Sequence, residues 1–156
     1  MKPAYLINFA AALVLAGSCW AQPAAPQPIL PESFAWVSPP NNPLVKGAWV
    51  LGAERESGSY AFRVTISRGG KIPPHTHPDT RYSTVLSGTL YVGFGKVENE
   101  ASTVAVPAGA VYIAPAGVPH YLFARDGEVV YQEGGCGPTA TNWIKGKVQT
   151  TTTSRR

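Results

Sequence analysis

The sequence predicts an all-β fold, an antiparallel jelly-roll barrel, and three observations carry that expectation. Tyr60, Phe62, Val64 and Ile66 alternate with Ala61, Arg63, Thr65 and Ser67, the period of a strand with one buried face. Several more short apolar runs follow at nearly regular spacing, with Gly- and Pro-containing turns between them, as in a sandwich or barrel. After residue 21 no stretch shows the 3.6-residue apolar period of a helix.

The 156 residues are one domain's worth of chain, long enough to bury a sizeable core. Residues 4–17 are an apolar run behind Lys2, followed by Ala16-Gly17-Ser18-Cys19-Trp20-Ala21. That order reads as a secretory signal peptide over residues 1–21, and the run is short for a membrane span. The expected location is therefore periplasmic or secreted. Ser18-Cys19 leaves open processing as a lipoprotein, with acyl chains on Cys19. Residues 22–45 hold prolines at 23, 26, 28, 31, 39, 40 and 43, the composition of an extended linker. Within it Phe34, Trp36 and Val37 are expected to dock as a short edge strand, without a part in any site.

The barrel is expected over residues 46–144. Its strands are Trp49 to Ala53, Tyr60 to Ile66, Tyr82 to Leu86, Leu90 to Phe94, Thr103 to Val106, Val111 to Ile113, Tyr121 to Phe123 and Val129 to Gln132. Ser57-Gly58, Gly69-Gly70, Ser87-Gly88, Pro107-Ala108-Gly109, Pro115-Ala116-Gly117 and Asp126-Gly127 punctuate them. Gly134 to Pro138 reads as a tight turn leaving the last strand. Residues 145–156 form a basic, Thr-rich tail, expected to fray.

Charge excludes one class of partner. The formal net charge is +4, but Lys145, Lys147, Arg155 and Arg156 all lie in the tail, and residues 22–144 carry eight basic and nine acidic side chains. The domain itself is balanced, so nucleic acid is not an expected partner. Of two cysteines, Cys19 falls in the signal, which leaves Cys136 without an internal disulfide partner. It reads as a small buried filler, or as a thiol near the barrel mouth or an intermolecular bridge.

The chemistry lies in three histidines, the only ones in the chain. His75 and His77 are two apart on the segment GGKIPPHTHPDTRYSTVLSG, so in extended backbone both imidazoles face one side. Pro73 and Pro74 hold the segment extended and argue against a helix or a central strand. His120 comes from a distant segment, and only a fold can bring it close. The spacing of Gly69, His75, His77 and Gly88, and that of Gly109, Pro115, Gly117 and His120, resembles the two motifs of the cupin family.

That resemblance implies a small antiparallel barrel with a divalent transition metal (Fe, Mn, Zn, Ni or Cu) held by His75, His77 and His120. Two positions depart from the family pattern. Arg81 and Tyr82 stand where an acidic ligand is expected, and Ala124 replaces an asparagine. A guanidinium has no lone pair for a metal. Facing inward, Arg81 would be the candidate catalytic residue, clamping the acidic end of a substrate; turned outward, it would pair with Asp79. Asp79 itself is an alternative fourth ligand. Phe62, Val64, Leu122 and Ala124 are expected to make the pocket apolar.

Two classes of function follow. The first is an exported metal-dependent enzyme of oxygenase type, acting on a small organic acid or diketone-like molecule. The second is a non-catalytic cupin module that binds a small ligand or a metal. The resemblance also allows a homodimer, through Tyr121 and Phe123 read as outward-facing aromatics.

Overall fold

A computed structural model describes residues 27–144. The expected signal peptide, the first residues of the linker and the basic tail lie outside the described residues. Ten strands run in chain order: β1 (Val45–Leu51), β2 (Gly58–Ile66), β3 (Lys71–Thr76), β4 (Arg81–Ser87), β5 (Thr89–Phe94), β6 (Val104–Pro107), β7 (Val111–Ala114), β8 (His120–Phe123), β9 (Val129–Gly137) and β10 (Asn142–Trp143). They form two antiparallel five-stranded sheets, ordered β1-β2-β9-β4-β7 and β10-β3-β8-β5-β6. This is the expected jelly roll, in which two sheets bury one face of each strand against the other. Among the described residues no helix is long and apolar enough to cross a membrane.

The core is what alternation predicts. Val64, Ile66, Val85, Leu90, Val92, Leu122, Ala124, Val129 and Tyr131 pack as one cluster between the sheets. Full burial of an aliphatic side chain of this size contributes about 1.5–3 kcal/mol each.

The turn from β4 into β5, which carries the chain from one sheet to the other, is fixed by Gly88. Its φ is +74°, and a Cβ there would stand 2.3 Å from the Glu128 carbonyl oxygen. Both the left-handed backbone and the contact exclude a side chain. Gly88→Ala is therefore expected to cost roughly 1–3 kcal/mol, read as a lower midpoint in urea denaturation with an unchanged slope.

Four expectations are corrected. The segment with Pro73 and Pro74 is a true strand, β3, flanked by β10 and β8. It tolerates the two missing N–H donors because the register slips there: Ile72 faces Leu122, but His75 faces His120, which leaves one extra residue on β3. Secondly, Gly134 to Gly137 continue β9 instead of turning. These glycines serve close packing. A Cβ on Gly135 would lie 2.5 Å from Asp79 Oδ2 and 2.6 Å from the Tyr60 hydroxyl.

Thirdly, Tyr121 and Phe123 are buried, at 1% and 6% exposure. The connection from β5 to β6 roofs that face of the sheet, and Tyr121 donates to the Asn99 carbonyl at 3.2 Å. They are not free to face a second copy. Fourthly, Cys136 is exposed on β9 and is no core filler.

The described part of the linker makes more contacts with the barrel than its composition implies. Val37 and Gly47 exchange both backbone hydrogen bonds at 2.9 Å, so the expected edge contact forms. Trp36 lies under Lys46 Nζ at 5.1 Å, and Phe34 under the Arg63 guanidinium at 5.3 Å.

Candidate metal centre and its cavity

The bulge at Pro73-Pro74 decides the site, because it sets His75 directly opposite His120 across the β3–β8 pair. His77 follows just beyond the end of β3. The ring centroids lie 4.2 Å (His75–His120), 4.8 Å (His75–His77) and 5.1 Å (His77–His120) apart. One ring nitrogen from each of the three comes within 4.8 Å of the others. The two distant segments thus converge as expected.

The hydrogen bonds choose the nitrogens. Nδ1 of His75 meets the Pro73 carbonyl at 2.7 Å, Nδ1 of His77 meets the Ala140 carbonyl at 2.8 Å, and Nδ1 of His120 meets the Val118 carbonyl at 3.2 Å. A carbonyl only accepts, so each Nδ1 carries the proton and each Nε2 is left with a lone pair. Nε2 of His77 and of His120 is buried without any partner. Two orphaned acceptors in a polar cluster are costly unless something cationic or donating completes them.

Burial keeps the imidazoles neutral. It pulls His75 down to about 3, helped by His120 beside it, and His77 down to about 4, helped by Arg81. His120 is lowered by burial as well. Neutral imidazoles whose outer nitrogen is anchored to a carbonyl are the donor form of a transition-metal site. The residues present fit such an ion, and three of them leave coordination positions for a further ligand.

His75 and His77 open on a cavity of about 740 Å³. Phe62 and Val64 line it as expected, with Trp49, Ile72 and Trp143; Leu122 and Ala124 belong to the packed core instead. The ring of Trp143 lies 5.4 Å from that of His75. Part of the wall comes from residues 37–42, where Pro39, Pro40 and Asn42 close one side. Asn42 is tied down by donating to the Lys71 carbonyl at 2.8 Å. The segment expected to have no part in a site is therefore a piece of it.

Arg81 faces inward and lines the cavity, at 6% exposure. Both of its terminal nitrogens are already engaged, while Nε has no hydrogen-bond partner. Nη1 donates to Glu133 Oε2 at 2.6 Å, and Nη2 to Thr139 Oγ1 at 2.7 Å and the Ala140 carbonyl at 3.4 Å. Nε stands 3.7 Å from Asp79 Oδ1. So Arg81 is inward and paired with Asp79 at once, and the clamp expected for a substrate acid is held by the protein's own carboxylates. The Ala140 carbonyl is shared between Arg81 and His77, which couples this network to the histidines.

Asp79 does not join the histidine cluster. It accepts from the Tyr60 hydroxyl at 2.6 Å and from Thr139, and these hydrogen bonds, with Arg81, lower its carboxyl below the usual range despite burial.

Sequence reasoning missed Glu133. The signal was present, since Val129, Tyr131 and Glu133 alternate on one face of β9, but the strand was expected to end at Gln132. Glu133 is 4% exposed and faces Ser83 on one neighbouring strand and Phe62 on the other. Burial pushes its carboxyl up and Arg81 pulls it back. Tyr60, Thr139 and Trp143 were also not assigned to the site.

Two antiparallel sheets enclosing three convergent histidines define the class, a jelly roll with a metal-type centre. Residues 62–135, most of the barrel, match the family described as the Cupin domain. Germin-like protein 1-1 of Oryza sativa subsp. japonica is 36% identical over 87 residues, covering 52% of this chain and 40% of that protein. The chain thus spans well under half the length of this curated relative. The polyketide cyclase RemF from Streptomyces resistomycificus superposes with a TM-score of 0.65 at 14% identity, over 80% of this chain and 89% of that one. The DMSP lyase DddQ from Ruegeria pomeroyi gives 0.58 at 16%, over 73% and 64%. At these identities the two structures speak for the fold alone.

Proposed function

We propose that this protein is an exported, metal-dependent cupin enzyme of oxygenase type, acting on a small organic acid or diketone-like molecule. The observation that carries the reading is the set of three Nε2 lone pairs, each with its Nδ1 tied to a backbone carbonyl, beside an apolar cavity. Bound there, a divalent transition metal supplies Lewis acidity and, if redox-active, electron transfer to a ligand in the remaining positions. The chain's own residues do the rest. Phe62, Val64 and Trp143 exclude water from the substrate's apolar body. The carbonyls of Pro73, Ala140 and Val118 hold the imidazoles in one tautomer. The fold leaves the chemistry open, since a cyclase and a lyase share the same barrel.

Metal analysis of protein recovered from its export compartment, followed by oxygen uptake against a panel of small acids and diketones, tests this reading. Uptake above background is expected, and it should vanish in His120→Ala. A metal-loaded protein that consumes no oxygen with any member, yet binds one of them, would point to the ligand-binding module instead.

A further inference from the structure

Around Arg81, carboxylates outnumber cations two to one. Among the described residues Arg81 is the only lysine or arginine that lines the cavity, and Glu133 lines it too. The guanidinium meets two carboxylates, Glu133 at 2.6 Å and Asp79 at 3.7 Å, while its second terminal nitrogen is spent on Thr139 and Ala140. Arg81 Nε is buried without a hydrogen-bond partner, yet an incoming carboxylate would meet a cation already outnumbered by Glu133 and Asp79. To take the place of Glu133 it would have to break a buried charge-assisted hydrogen bond. It would then leave that side chain unpaired inside the barrel, which is strongly unfavourable. The remaining wall, including Phe62, Val64, Ile72 and Trp49, offers contact to an apolar body and no charge.

We propose that Glu133 masks Arg81 and makes this cavity selective for uncharged ligands with an apolar body over carboxylates of the same shape. The inference rests on the reading of this cavity as the substrate site, and it narrows the substrate class to the neutral, diketone-like kind. Glu133 is here a specificity-determining residue. Its neutralisation is expected to unmask the guanidinium and turn an excluded anion into a bound one.

Benzamide and benzoate test the idea, because they share a shape and differ by one charge at neutral pH. Binding of each to the full chain is followed by NMR titration, with and without zinc. The wild type is expected to take benzamide in preference to benzoate. Glu133→Gln should shift the ratio toward benzoate by about tenfold or more, the worth of one unit charge a few ångströms away in a partly screened wall. Arg81→Gln/Glu133→Gln, which removes both charges, should show no such gain.

Benzoate bound by the wild type as well as benzamide, binding of neither, or a ratio that Glu133→Gln leaves unmoved overturns the proposal. So does a double variant that gains benzoate as much as the single one. If Glu133→Gln fails to fold, the wild-type preference still decides. Zinc uptake is measured in the same samples. Its loss would sink the metal-enzyme reading and leave the selectivity standing, whereas an unmoved ratio with intact zinc uptake would sink the selectivity alone.

Discussion

His120→Ala is expected to abolish tight metal binding while leaving the barrel folded. Elemental analysis after dialysis against free zinc should fall from about one ion per chain to background, with a larger loss of affinity than the roughly 10- to 100-fold typical of removing an outer partner. The size of the effect follows from the geometry. His75 and His120 sit opposite each other on neighbouring strands with centroids 4.2 Å apart, so deleting either leaves two donors and an open side. Folding should survive because His120 makes one side-chain hydrogen bond, to Val118 at 3.2 Å, and its Nε2 has no partner to lose. Removing a buried atom with an unmet lone pair offsets part of the cavity cost. A variant that keeps stoichiometric zinc would show that the three rings are a polar core cluster and not a metal centre.

Much of this was legible in the chain because the relevant signals are local. The alternation from Tyr60 to Ile66 is visible without any partner strand, and it places Val64 and Ile66 in the core where they are found. The histidine pair two apart, with a third at matching glycine and proline spacing, led directly to the centre. What stayed hidden depends on pairing between distant segments. Nothing near Arg81 announces Glu133, 52 residues later, as its partner. Nothing in Pro73-Pro74 says that a bulge lets a proline pair sit inside a sheet. Glycines misled in one place for the same reason. Gly134 and Gly135 look like a turn, yet they are small because the Tyr82 ring and the Asp79–Tyr60 pair crowd against the strand. Tyr121 and Phe123 were assigned outward by alternation alone, which cannot foresee that a connection such as Asn99–Ser102 covers the second face.

Arg81→Met is expected to be the most destabilising single change in the cavity wall, costing roughly 3–5 kcal/mol in urea denaturation of the metal-free protein at neutral pH. The reason is what stays behind. Glu133 loses its Nη1 donor at 2.6 Å, and Asp79 loses the cation 3.7 Å away, inside a wall where both side chains are largely buried. Asp79 keeps the Tyr60 and Thr139 hydrogen bonds, whereas no other hydrogen bond to the Glu133 carboxylate is present among the described residues. The penalty therefore concentrates on Glu133, and Arg81→Met/Glu133→Leu should regain most of it, since an apolar pair of similar volume replaces a desolvated ion pair at little cost.

The pH dependence of the single variant carries the same signature. Burial already raises the Glu133 carboxyl, and Arg81 opposes that rise. Without Arg81 the folded-state pKa climbs further above the unfolded one. A carboxyl raised in this way binds its proton more tightly when folded, so its contribution to stability is full below the unfolded pKa and is lost as pH rises through the folded one. The deficit of Arg81→Met against the wild type should accordingly be greatest at neutral pH and shrink on acidification. A deficit that does not shrink in acid, or a double variant no more stable than Arg81→Met, would mean that Arg81 holds the wall by packing over the Tyr60 ring, 5.6 Å away, and not by neutralising Glu133.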